Sequence, residues 1–167
     1  GGKPIKAIKP GDGPSFYYSP TWSPDGKKIA YADKRLNLWV ADVATGKSVK
    51  VDRNPYTDSR IFSFSWSPDS QWLAYTKQLK SHLFAVFVYS LEKAKPTQIT
   101  DGMADADQVA FDRGGKYLYF TASTDVGLSR APLMSTIHMP QTRSVYVAVL
   151  DADTPSPLAL ESDDEKA

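Results

Sequence analysis

The chain has 167 residues, of which 41% are hydrophobic and 12% aromatic, with 12 Pro and 10 Gly. That is an ordinary globular composition, long enough to bury a sizeable core. It holds no Cys, which excludes disulfides, thiol catalysis and cysteine-bound zinc. The formal charge of +1 divides unevenly: residues 1–100 carry 15 Lys+Arg against 8 Asp+Glu (+7), and residues 101–167 carry 5 against 11 (−6).

The basic half is not a dense patch. Its lysines sit singly or in pairs at turns, as at Lys27-Lys28 and Lys93/Lys95, so nucleic acid is not an expected partner. No apolar run approaches the length of a membrane-spanning helix, and no membrane span is expected. The opening Gly-Gly-Lys-Pro-Ile-Lys lacks the hydrophobic stretch of a secretion signal.

In chain order, Lys3-Pro-Ile-Lys-Ala-Ile8 comes first and matches Lys95-Pro-Thr-Gln-Ile-Thr100 further on. A decapeptide then occurs three times, as Trp22-Ser-Pro-Asp-Gly-Lys-Lys-Ile-Ala-Tyr31, Trp66-Ser-Pro-Asp-Ser-Gln-Trp-Leu-Ala-Tyr75 and the worn Phe111-Asp-Arg-Gly-Gly-Lys-Tyr-Leu-Tyr-Phe120. The copies start 44 and 45 residues apart, a period that marks stacked repeats of one supersecondary unit.

Within the first copy, Ser23-Pro24-Asp25-Gly26 is a turn. Pro24 presets one dihedral, Asp25 bonds nearby backbone, and Gly26 is free to take a positive φ. In the second copy Pro68 and Asp69 repeat the pattern, and Ser70 at the glycine position is expected to be strained if the left-handed conformation is kept. In the third, Arg113 replaces Pro, and Gly114 and Gly115 follow. The strand after each turn is apolar on one face at Ile29, Leu73 and Leu118, then at Tyr31, Tyr75 and Phe120.

A second strand follows at 38–43, 86–91 and 145–150. These near-continuous apolar runs suit strands buried on both faces. A short outer strand is expected after each, at Ser48–Asp52, Pro96–Thr100 and Ser156–Leu160. Short β-branched and aromatic runs with turn signals argue against helix, and an immunoglobulin-like sandwich would not repeat its sequence at this period.

The expected fold is therefore all-β. It is a β-propeller fragment of about three four-stranded antiparallel blades, preceded by the outer strand of an earlier blade. The boundaries follow the repeat: residues 1–9 for that outer strand, 10–54 for blade 1, 55–102 for blade 2, 103–160 for blade 3 and 161–167 for an acidic tail or linker. Blade 3 contains an insertion at 123–143, about 15 residues longer than the matching connections.

The insertion is where the repeat breaks, and long connections often carry function. Its Arg130, His138 and Arg143 are the candidate peptide contacts, with a loop that packs over the propeller edge as the plain structural reading. His82 and His138 have no metal-ligand spacing, and no metal or other cofactor is expected. No Gly-x-Ser-x-Gly and no phosphate-binding glycine loop occurs, so no catalytic residue is assigned. The recurring Trp22, Asp25, Trp66, Asp69, Phe111 and their neighbours are turn and packing positions.

The Trp-Ser-Pro-Asp-Gly-Lys-x-Ile/Leu-Ala-Tyr unit resembles the WD-like repeat of TolB proteins, tricorn-type serine peptidases and the prolyl oligopeptidase group. Ser123-Thr-Asp-Val-Gly127, Thr142–Leu150 and Ser156–Glu165 look like the last blade and exit segment of the amino-terminal propeller in bacterial tricorn-like peptidases. That resemblance implies a non-catalytic propeller that guides or gates peptides toward a serine active site in downstream domains, alongside a PDZ-like domain. The implied partners are peptides, further blades and those domains, and the implied compartment is the cytoplasm, or the periplasm if the parent carries a signal peptide. The alternative is a TolB-like interaction propeller without peptidase activity. Three blades also leave apolar end faces, from which either a homodimer, such as a six-blade ring of two chains, or poor solubility is expected.

Overall fold

The structure is a computed structural model that describes residue 8 and residues 10–56, 62–124 and 143–159. Eleven strands form three antiparallel sheets among these residues. The first sheet holds β1 (Tyr17–Trp22), β2 (Lys28–Asp33), β3 (Asn37–Asp42) and β4 (Ser48–Arg53) in sequential order. The second repeats this with β5 (Phe64–Trp66), β6 (Trp72–Gln78), β7 (Phe84–Ser90) and β8 (Lys95–Gln98). The third contains β9 (Asp105–Phe111), β10 (Tyr117–Ser123) and β11 (Ser144–Val149).

The register is that of the repeat. Ile29, Leu73 and Leu118 stand opposite Ala41, Tyr89 and Ala148 on the next strand. The sheets stack face to face. Ala30, Ala32, Leu38, Val40 and Val51 of blade 1 meet Trp66, Leu73, Tyr75 and Tyr89 of blade 2. On its other face blade 2 offers Ala74, Val86 and Val88 to Val109, Leu118, Phe120 and Ala122 of blade 3. A middle sheet covered on both sides explains why β7 reads as a continuous apolar run. Burying a side chain such as Leu73, which is 0% exposed, contributes roughly 2 kcal/mol.

Each hairpin turn carries one left-handed residue at the same place: Gly26 (φ 69°), Ser70 (φ 61°) and Gly115 (φ 69°). Ser70 keeps the glycine conformation, as expected for a strained turn. The worn third turn conserves the hydrogen bonds while changing the residues. In blades 1 and 2 the serine hydroxyl accepts from the backbone N–H of Lys28 or Trp72 and donates to the aspartate two places on. In blade 3 the single carboxylate of Asp112 accepts from both Gly114 and Tyr117 N–H at 2.8 Å.

Two features depart from the sequence reading. The outer strand expected at Ser156–Leu160 is not formed over 156–159, where Ala159 N–H bonds back to Ser156 O at 3.1 Å in a turn. Pro155 precedes this stretch and Pro157 lies within it, and a residue without an N–H cannot donate to a ladder. The inner strands β1 and β9 also carry unexpected bulges, with Ser19 (φ 52°) and Gln108 (φ 53°) each three residues before Trp22 and Phe111. Most of the expected N-terminal strand 1–9 and all of 161–167 lie outside the described residues; Ile8 packs against the Tyr31–Trp39–Ala41 cluster on the outer face of blade 1.

Candidate functional site

The two blade seams are built on one backbone plan but closed differently. At the turn end of the first seam, Ser70 Oγ accepts from Asp25 N–H at 3.1 Å, and Trp66 Nε1 donates to Thr21 O at 3.1 Å. At its middle, Asp52 accepts from Tyr75 Oη and from Lys77 Nζ, each at 2.7 Å. Burial first, and then the neighbouring Asp52 carboxylate, push the Tyr75 hydroxyl well above the ordinary tyrosine range, so it stays a proton donor.

In the second seam the corresponding positions are Gly115, Phe111, Thr100, Phe120 and Ala122. None of these side chains repeats those bonds. The hydroxyl partner of the turn is gone, the indole is a phenyl ring, and Phe120, Thr100 and Ala122 stand in place of the Tyr–Asp–Lys tie. A cleft of about 590 Å³ results, with Pro68, Trp72, Val88, Phe111 and Gly115 among its walls. A Cβ on Gly115 would lie 3.6 Å from Pro68, so this glycine lies beside the blade 2 turn. Asp69, Lys116 and Asp151 also line it.

The opposite end of the strands carries the insertion. Arg130 and His138 lie outside the described residues. Arg143 is described, and its guanidinium donates to Asp105 O at 3.0 Å and to Asp105 Oδ2 at 2.8 Å. The Asp105 side chain is only 3% exposed, and its other oxygen accepts from Phe84 N–H of blade 2 at 3.3 Å. Arg143 thus helps hold a buried carboxylate that ties blade 3 to blade 2. To meet a peptide carboxylate it would have to leave that partner.

His82 is exposed and stacks on Tyr56 at 4.4 Å between ring centroids. The repeat aspartates are engaged in their turns. The Ser23 hydroxyl and then the Lys27 N–H hold Asp25 below the usual carboxylate range, and the Tyr117 and Gly114 N–H groups do the same for Asp112. Among the described residues no group of three or more His, Asp or Glu is placed to hold a metal ion. No helix there is long and apolar enough to cross a membrane. Sequence reasoning missed the cleft, whose only signal is the pair of small substitutions at Phe111 and Gly115.

Antiparallel sheets of three or four strands stacked face to face on a sequence repeat define the class as a β-propeller. Among solved structures, the tricorn protease superposes with a TM-score of 0.67 at 22% identity, over 84% of this chain and 14% of that one. TolB from Acinetobacter baumannii superposes at 0.58 and 22% identity, over 84% of this chain and 31% of that one. No family model matches the chain.

Sequence relatives narrow the class. A tricorn-like protease C-terminal subunit of Sulfurisphaera tokodaii is 30% identical over 135 residues, and a tricorn protease homolog of Saccharolobus solfataricus is 26% identical over 128. These matches take in 81% and 77% of this chain but only 15% and 12% of the curated relatives' length. The chain is a propeller portion of a tricorn-like protein.

Proposed function

We propose that this propeller portion is a non-catalytic accessory to a serine peptidase, guiding or gating extended peptides on their way to or from an active site in other domains of the parent. The observation that carries the reading is the 30% identity with a tricorn-like protease subunit over 135 residues, 81% of this chain. The described residues contribute faces and seams, and the polar side chains at both ends of the strands are engaged in holding turns and blades. On this reading Arg130 and His138 of the insertion remain peptide-contact candidates, while Arg143 serves chiefly as the anchor of Asp105.

A second copy of the chain is a further partner on the same reading. Trp22 is 56% exposed, whereas its register twin Trp66 is 7% exposed because blade 1 covers it. Another blade seated on blade 1 would cover Trp22 in the same way. Light scattering on the isolated chain is expected to give a dimer; a monomer across a wide concentration range counts against that partner.

The test of the main reading is incubation with a labelled unfolded peptide. Saturable binding without cleavage is expected. Cleavage abolished by a serine-directed inhibitor would overturn the non-catalytic assignment, and absence of binding up to millimolar peptide would overturn the guiding role.

A further inference from the structure

We propose that the cleft between blades 2 and 3 is a binding site for a short extended peptide that presents an apolar side chain beside a backbone carbonyl and carries positive charge. This deepens the peptide-handling reading by assigning it a place and a chemistry, and it rests on that reading for the ligand class.

Size and lining come first. A cleft of about 590 Å³ lies within the range of roughly 300–1,000 Å³ common for ligand sites. Three of its apolar side chains stay partly open to solvent: Trp72 at 39%, Ile99 at 38% and Leu150 at 38%. Val88 and Phe111 add apolar lining against which an aliphatic or aromatic side chain would pack.

The polar contact follows from the repeat. In the first seam, Asp25 N–H is satisfied by Ser70 Oγ from the next blade. Asp69 is the twin of Asp25, and Gly115 is the twin of Ser70. With no hydroxyl there, Asp69 N–H faces the cleft without a hydrogen-bond partner among the described residues, although its carboxylate accepts from Ser67 Oγ and Gln71 N–H. A carbonyl oxygen of an extended peptide supplies the missing acceptor.

Charge selects among peptides. Asp69 and Asp151 face the cleft against the single Lys116, which favours a cationic over an anionic chain. The chain's own acidic stretch, Glu161–Glu165, has the wrong sign.

The test is an NMR titration of the whole chain with acetyl-Lys-Leu-Phe-Lys-amide, with acetyl-Glu-Leu-Phe-Glu-amide as control. The lysine peptide is expected to shift the Asp69 and Gly114 amides, the Trp72 indole and the Ile99 and Leu150 methyls, and the glutamate peptide to bind more weakly. Gly115→Ser should weaken binding about tenfold or more by restoring the hydroxyl bond and filling the space. The substitution is tolerable: its Cβ meets only Pro68 at 3.6–3.8 Å, and Ser70 already adopts the same left-handed conformation. Should it fail to fold, Trp72→Ala, which removes a partly exposed wall, is expected to give the same loss.

Absence of saturable shifts at millimolar peptide, binding by the variants as tight as by the unaltered chain, or stronger binding of the glutamate peptide would each overturn the site. If the lysine peptide binds the cleft but unfolded peptides are not guided, the accessory role fails and the site stands. If guiding survives Gly115→Ser, the site fails and the role stands.

Discussion

The seam between blades 1 and 2 is crossed by side chains along its length, from Ser70 and Trp66 at the turns to the Tyr75–Asp52–Lys77 tie in the middle. The seam between blades 2 and 3 keeps the same backbone register but has Gly115, Phe111, Phe120, Thr100 and Ala122 at those places. What crosses it instead lies at the far end of the strands, where Asp105 reaches Phe84 and is held by Arg143, with Phe111 N–H donating weakly to Ser65 Oγ at 3.4 Å. Strand pairing thus fixes the blade, while a few positions at equal register decide whether the joint between blades is sealed or open.

The largest expected effect separates the two seams by their aromatic plugs. Trp66→Ala, at 7% exposure and with its indole bonded across the seam, should destabilise by about 3–5 kcal/mol, and Phe111→Ala, beside an existing cleft, by about 2 kcal/mol. Urea unfolding of both variants checks the difference; equal losses would mean the seams are equally packed. Next, Asp52→Ala should cost about 1–3 kcal/mol, because it leaves Tyr75 Oη and Lys77 Nζ without their acceptor. Thr100→Val at the twin position should cost less, through the hydroxyl bond to Val86 N–H alone.

Acid should loosen blade 1 through Asp33. Burial raises its pKa, but Asn37 and the Trp39 indole donate to the carboxylate and bring the net value below 3.8. The folded state therefore binds the proton less readily than the unfolded one. This stabilisation is present above the unfolded value of 3.8 and is lost as pH falls through the lowered folded value. Melting curves across that window should show a fall that Asp33→Asn flattens; unchanged pH dependence in the variant would assign the fall to other carboxylates. The smallest effect is expected from Ser70→Gly, within about 1 kcal/mol, since relief of the left-handed strain offsets the lost bond. Its structure should nonetheless show a new opening at the first seam.

How much of this was legible follows from where the information lies. Turns and strands were readable because Pro24, Asp25, Gly26 and their repeats act on their own neighbours, and the strained Ser70 was foreseeable from its position alone. The bulges at Ser19 and Gln108 were not, since neither residue type announces a positive φ. The place of Ser156–Leu160 after a turn suggests an outer strand, and Pro155 and Pro157 outweigh that. Trp22 and Trp66 are the same residue in the same decapeptide, yet one is exposed and the other buried, because burial depends on the blade laid against them. The cleft was hidden for a related reason: it arises from what Phe111 and Gly115 lack relative to residues 45 positions earlier. The family resemblance supplied the tricorn connection that the residues alone did not.

Asp105 and Phe111 begin and end the same strand, β9. At about 3.3 Å per residue, the buried ion pair at one end and the open cleft at the other stand roughly 20 Å apart along one seam. Between them Val109, Leu118, Phe120 and Ala122 pack against Ala74, Val86 and Val88. The second seam is therefore closed like a zip pulled from one end: shut at Asp105, packed through its middle and left open at Phe111.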